Sequence, residues 1–237
     1  DFDVEYESLS GDVVVVWANS LGANGTNGSR YSNCVGGTSA CTWSAATAIP
    51  LLADDATNLD LASNPNTDQM LFASIGNGGS DLQEQQWNGT AWLASCTGCA
   101  NRDVSSGTPL AGTKLVTVGW LINGATTRGI VIYNDSASTA VNYWTYSGTN
   151  FGVQTDWVPT PLFATAQKWY TIEADPKNKD RLLFALSDAN NDLFAKRLVM
   201  SATPAFTWSN ADGGAALETT LGQATSQPFD FAFWRNP

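Results

Sequence analysis

The sequence predicts an all-β fold, a β-propeller of four antiparallel blades of about 57 residues plus an extra C-terminal strand. Three observations predict it: a motif that returns at near-constant spacing, strand-like alternation within each copy, and the lack of a helix signal. The segment Phe2–Trp17 reads FDVEYESLSGDVVVVW and Leu59–Phe72 reads LDLASNPNTDQMLF. Val116–Tyr133 reads VTVGWLINGATTRGIVIY and Tyr170–Phe184 reads YTIEADPKNKDRLLF. A fifth start, FDFAFWR at Phe229, echoes FDVEYES at Phe2. Starts at 2, 59, 116, 170 and 229 give spacings of 57, 57, 54 and 59. The repeats then cover 2–58, 59–115, 116–169 and 170–228, with a closing or donated strand at 229–235 and a single domain over 1–237.

Each repeat divides into four strands. In the first, Phe2, Val4 and Tyr6 alternate with Asp3, Glu5 and Glu7, the period of a half-buried strand. A turn follows, either Ser8-Leu9-Ser10-Gly11, Asn64-Pro65-Asn66-Thr67 or Asp175-Pro176-Lys177-Asn178. Proline presets φ in such turns, and Asn or Asp at the start bonds the loop backbone. The second strand is a nearly continuous apolar run, as in Val13–Trp17, Met70–Ala73, Ile130–Tyr133 and Leu182–Leu186. A strand buried on both faces reads this way. A third strand follows, such as Leu82–Trp87 or Leu193–Met200, and in the second repeat Asn88-Gly89 turns the chain into a short fourth strand near Trp92. The best helix candidate, Asp212–Leu221, holds two adjacent glycines and two threonines and has no 3.6-residue apolar period.

Composition narrows the chemistry. The 237 residues carry 22 acidic and 11 basic side chains, a net charge of −11, and no histidine. Histidine-based nucleophilic catalysis, metal ligation and pH switching are therefore excluded. A surface this acidic repels nucleic acid. No apolar run approaches the ~20 residues of a membrane span. Only 14% of residues are charged, and Ser, Thr, Asn and Gly supply the remaining polarity, a balance that suits an extracellular β-protein. The chain starts at Asp1 without an initiator Met, which reads as a processed product or an excised piece.

The four cysteines fall into two local pairs, Cys34 with Cys41 and Cys96 with Cys99, and are expected to form two structural disulfides in an oxidising compartment. A thioredoxin-like reading of the second pair lacks the helix it needs, and a zinc site lacks a second C-x-x-C. Sequons at Asn24, Asn27, Asn88 and Asn134 offer glycosylation sites. The acidic set Asp175, Asp180, Asp188 and Asp192 has the composition of a calcium site, but its positions are turn positions, so no metal or other cofactor is expected.

The W-N-G-x-x-W hairpin at Trp87 to Trp92 is similar to the repeat hairpin of fucose-binding and tectonin-like propeller lectins. The wider pattern resembles repeat modules of secreted prokaryotic surface proteins. What the resemblance implies is an extracellular propeller with a scaffolding or binding role. On the lectin template, Glu84, Trp87, Trp92, Arg128 and Arg181 are the candidate ligand-binding residues, although no repeat holds Arg, Glu and the aromatic platform together.

Most tryptophans, namely Trp17, Trp87, Trp92, Trp120, Trp144 and Trp208, recur at strand positions and read as core, while Trp157, Trp169 and Trp234 read as less securely buried. A glycosidase needs two carboxylates across a cleft, and Glu5, Glu7, Asp60 and Glu173 lie on first strands, which line a propeller's central channel.

The expectation is thus a non-enzymatic, extracellular structural or adhesion protein of the cell surface, with a pilus-like filament subunit as one form. Its partner would be another copy, paired through Phe229–Arg235, or a surface glycan. A carbohydrate-binding lectin is the alternative, and a glycoside-active enzyme the second alternative.

Overall fold

The computed structural model describes residues 1–19, 29–36, 41–52, 56–76, 81–93, 101–103, 113–134, 141–152, 155–157, 166–201, 205–222 and 227–231. Every regular element among them is a β-strand. The strands form four antiparallel meanders, one per sequence repeat.

The first sheet runs β1 (Phe2–Tyr6), β2 (Val13–Trp17), β3 (Arg30–Val35) and β4 (Thr42–Trp43), with β5 (Thr47–Ala48) also paired to β3. The second runs β6 (Ala56–Ser63), β7 (Met70–Gly76), β8 (Asp81–Trp87) and β9 (Asn101–Asp103). The third runs β10 (Val116–Asn123), β11 (Thr126–Tyr133), β12 (Val141–Tyr146) and β13 (Thr155–Trp157). The fourth runs β14 (Gln167–Ala174), β15 (Arg181–Asp188), β16 (Leu193–Met200) and β17 (Phe206–Asn210). Short turns between successive strands make the meanders local in sequence. The second-strand positions β7, β11 and β15 are buried over most of their length, as their apolar runs require.

The sheets stack face to face, so that β1 lies against β6, β6 against β10 and β10 against β14. Each contact is a separate apolar core. Val14 and Val16 meet Leu59, Leu61, Met70 and Phe72 between the first and second sheets. Leu71, Ala73 and Ile75 meet Val116, Val118, Val131 and Tyr133 between the second and third. Ile130 and Ile132 meet Tyr170, Ile172, Leu182 and Phe184 between the third and fourth. One residue sets the spacing of the middle pair: a Cβ on Gly129 would stand 2.8 Å from Leu71 Cδ2 and 3.2 Å from Tyr146 Cβ. Only glycine lets β11 sit that close to β7.

The predicted turns form for the predicted reasons. Asn64 Oδ1 accepts from the Asn66 amide at 3.0 Å, and Asp175 Oδ1 accepts from the amides of Lys177 and Asn178 at 2.9 and 3.0 Å. Asp188 Oδ1 likewise accepts from the amides of Asn190 and Asp192. The acidic residues of the fourth repeat therefore build turns, and no cluster of three metal-ligating side chains occurs among the described residues. The Cys34–Cys41 disulfide forms and ties β3 to the start of β4. Cys96 and Cys99 lie outside the described residues, as do Asn24 and Asn27.

Three expectations change. The fourth strand of the second sheet is Asn101–Asp103, while Trp92 makes only a single bridge to Trp87. Trp169 is buried, because β14 turns it inward beside Lys114, to which it is bridged. Residues Phe229–Phe231 neither complete the first sheet nor form a ladder. They lie against the far face of the fourth sheet, beside Leu183, Ala185 and Ala195. Residues 232–237, with Trp234, are outside the described set.

Candidate functional site where four strands meet

The first strands of the four sheets converge on one cleft of about 310 Å³. β1 contributes Asp3 and Glu5, β6 contributes Asp60 and Ser63, β10 contributes Gly119 and Trp120, and β14 contributes Thr171 and Glu173. Strand alternation explains this lining. The apolar residues of β6, β10 and β14 are committed to the cores, so residues between them, such as Asp60, Gly119, Thr171 and Glu173, turn to the cleft, and on β1 Asp3 and Glu5 hold the equivalent positions.

The carboxylates also fasten neighbouring sheets, whose first strands share no backbone ladder. Asp1 Oδ2 accepts from the Leu59 amide and Asp3 Oδ2 from the Leu61 amide, both at 2.9 Å. One repeat on, Asp60 Oδ2 accepts from the Val118 amide at 2.8 Å and from Thr117 Oγ1 at 2.7 Å. Its other oxygen pairs with Lys114 Nζ at 2.7 Å. Trp120 Nε1 donates to the Ala62 carbonyl at 2.9 Å.

Packing acids this close raises their proton affinity. Burial, with the charge of Asp60 added, lifts Asp3 to about 6. Burial lifts Glu5 to about 7. Glu173 is raised by burial and then by Asp230 and Asp60. For Lys114, burial pulls the ammonium down, but the charge and hydrogen bond of Asp60, with Asp3 behind them, outweigh it and the net shift is upward. The cleft is thus lined by several acids, one of which, Asp60, is paired with Lys114.

The residues expected from the lectin template are not gathered here. Glu84 and Trp87 lie three apart on β8 and so face opposite ways. Glu84 pairs with Ala73 on the side of the third sheet, while Trp87 pairs with Met70 on the side of the first. Both are buried. Trp87 and Trp92 sit 5.6 Å apart, packed with Tyr31, and Trp87 Nε1 donates to Glu7 Oε1 at 2.5 Å. The W-N-G-x-x-W hairpin is therefore core. Arg128 is on β11, where its Nη1 donates to the Thr127 carbonyl, and Arg181 is on β15, where its Nε pairs with Asp180 at 3.1 Å.

Of the first-strand carboxylates, Glu5, Asp60 and Glu173 do converge, but Glu7 does not, being buried and hydrogen-bonded to Trp87 and Ser10. Asp3, which lines the site, was missed, as was Lys114, which pairs with Asp60. The signal for Asp3 was its repeat equivalence to Asp60. Of the two described sequons, Asn88 is exposed, but Asn134 is buried and its Nδ2 donates to Gln167 Oε1 at 3.2 Å, which leaves no accessible amide for a glycan.

Comparison with known proteins places this architecture. No family model matches the sequence, and no curated protein matches it. Solved structures do match in fold. One is a lectin from Burkholderia pseudomallei, with TM-score 0.60 and 15% identity, covering 92% of this chain and 55% of that one. Another is the fucose-binding lectin of Aleuria aurantia, described as a six-bladed β-propeller, with TM-score 0.53 and 13% identity, covering 92% of this chain and 64% of that one. A third is an α-L-arabinofuranosidase of Fusarium graminearum solved with arabinobiose, with TM-score 0.54 and 10% identity, covering 91% and 67%. The chain thus spans roughly half to two thirds of these structures. Its fold is that of the propeller lectins, similar to the fucose-specific ones. Because a glycosidase shares that fold, the expectation of a non-enzymatic protein does not stand.

Proposed function

We propose that the protein is a carbohydrate-binding β-propeller module whose ligand enters the cleft between β1, β6, β10 and β14. The observation that carries this reading is the convergence of Asp3, Glu5, Asp60 and Glu173 in one cleft of a fold shared with sugar-binding propellers. Carboxylates accept strongly from sugar hydroxyls, and several together fix the orientation of a ring. The same charges select against anionic sugars. The ligand class is therefore neutral or amino-bearing glycans rather than sialylated or uronate ones.

On this reading the chain is one domain of four blades. Phe229–Phe231 takes the place against the fourth sheet that a following first strand would take, as the residues beside it support. The disulfide-tied hairpin supports an extracellular location. A glycan array tests the reading: neutral glycans bind and sialylated ones do not. Binding confined to anionic glycans, or none at all, overturns it.

A second reading, glycoside hydrolysis, rests on one observation. Asp60 is paired with an ammonium, while Glu5, near 7, holds a proton close to neutrality. One protonated and one charged carboxylate in a cleft is the acid and base division that glycosidases use. Turnover of a neutral aryl glycoside, lost in Glu5→Gln, would select it over simple binding.

A further inference from the structure

We propose that the chain associates head to tail with a second copy of itself, the outward face of β1 in one copy packing on the far face of the fourth sheet in the other. Three internal interfaces repeat one arrangement. The apolar side chains of each first strand pack back onto the preceding sheet: Leu59 and Leu61 onto the first, Val116 and Val118 onto the second, Tyr170 and Ile172 onto the third. The register makes Phe2 and Val4 their counterparts on β1, and among the described residues no sheet packs on them. Phe2, Val4 and Tyr6 are 70%, 42% and 64% exposed. They form one apolar face, since alternate residues of a strand share a side.

The molecule also shows what such a face fits. On the far side of the fourth sheet, Leu183, Ala185 and Ala195 line a groove in which Phe229 and Phe231 lie. Phe229-Asp230-Phe231 echoes Phe2-Asp3-Val4, with Phe in place of Val at the third position. The groove already holds a segment of the chain similar to the one that β1 presents. The seat is incompletely filled: a space of about 110 Å³ remains there, and Leu217 on its rim is 57% exposed. A β1 strand from another copy carries the matching side chains and competes with Phe229–Phe231 for the seat. The contact joins two different faces, so it extends head to tail and yields a ring where the rotation closes or a filament where it does not.

The test uses the 237-residue chain. Sedimentation across a concentration series should show mass above the monomer for the wild type. Val4→Glu places a charge on an exposed position, on the side of β1 opposite Asp3 and Glu5. It should weaken association at least tenfold while leaving the melting temperature and the cleft intact. Phe229→Ser/Phe231→Ser, which loosens the seated segment, should tighten association. Mixing a Val4→Cys copy with a Leu217→Cys copy and adding a short bis-maleimide should give the mixed dimer in preference to Val4–Val4 dimers. A monomer at all concentrations in both the wild type and Phe229→Ser/Phe231→Ser overturns the proposal. So does association indifferent to Val4→Glu, or crosslinking only between like positions.

Discussion

Glu5 shows how one side chain joins structure to chemistry. Its Oε2 lies 3.1 Å from Ser63 Oγ, which is also 2.5 Å from the Tyr6 carbonyl. One hydroxyl proton serves only one of these acceptors, so a protonated Glu5 completes the set. With a folded value near 7 against 4.5 for the free side chain, the native state binds the extra proton between those limits. Stability therefore rises as pH falls from about 7 towards 4.5, and Asp3, raised to about 6, acts in the same direction. Thermal melts should show a higher midpoint at pH 5 than at pH 8. Glu5→Gln should raise the midpoint at pH 8, by about 2 kcal/mol of stability, and do nothing at pH 5. An unchanged or lower midpoint for the variant at pH 8 would remove the buried-acid account. Trp87 makes the opposite case, an aromatic ring that reads as a sugar platform and serves as core. Trp87→Phe removes the donor to the buried Glu7 and should cost about 2 kcal/mol in denaturant unfolding, with glycan affinity unchanged.

The strands were legible in the sequence because their signals are local. Alternation in Phe2–Tyr6 and the apolar run Val13–Trp17 each need only neighbouring residues to be read, and both became paired strands in one register. The Asn64 and Asp175 turns were legible for the same reason. The cleft was legible only in part, because its geometry comes from stacking four strands far apart in sequence. Glu5, Asp60 and Glu173 were recognisable as first-strand acids. Nothing local marked Lys114, which precedes β10, as the partner of Asp60. Glu84 and Trp87 misled because a template spacing was read without the parity of the strand. At this scale the disulfide is the simplest test. It closes a loop with a sequence separation of 7, for which chain entropy gives about 2.5 kcal/mol. Cys34→Ser/Cys41→Ser should lower stability by that order and leave glycan binding intact, since β3 and β4 do not line the cleft. Loss of binding in a folded variant would place the site at that hairpin.

At the scale of the molecule, the same stacking produces both proposals. Side chains alternate on the first strands, so one set fills the interfaces and the other lines the cleft. On β1 the interface set is exposed. The cleft reading and the association reading therefore separate by parity: changes at Asp3 or Glu5 touch one, changes at Val4 the other. The most direct test of the central claim is calorimetric titration of a neutral array hit into wild type, Glu173→Gln and Arg128→Ala at pH 7. Binding in the cleft predicts at least a tenfold loss in Glu173→Gln with no fall in melting temperature, and wild-type affinity in Arg128→Ala. The reverse pattern, full affinity in Glu173→Gln and loss in Arg128→Ala, would contradict it.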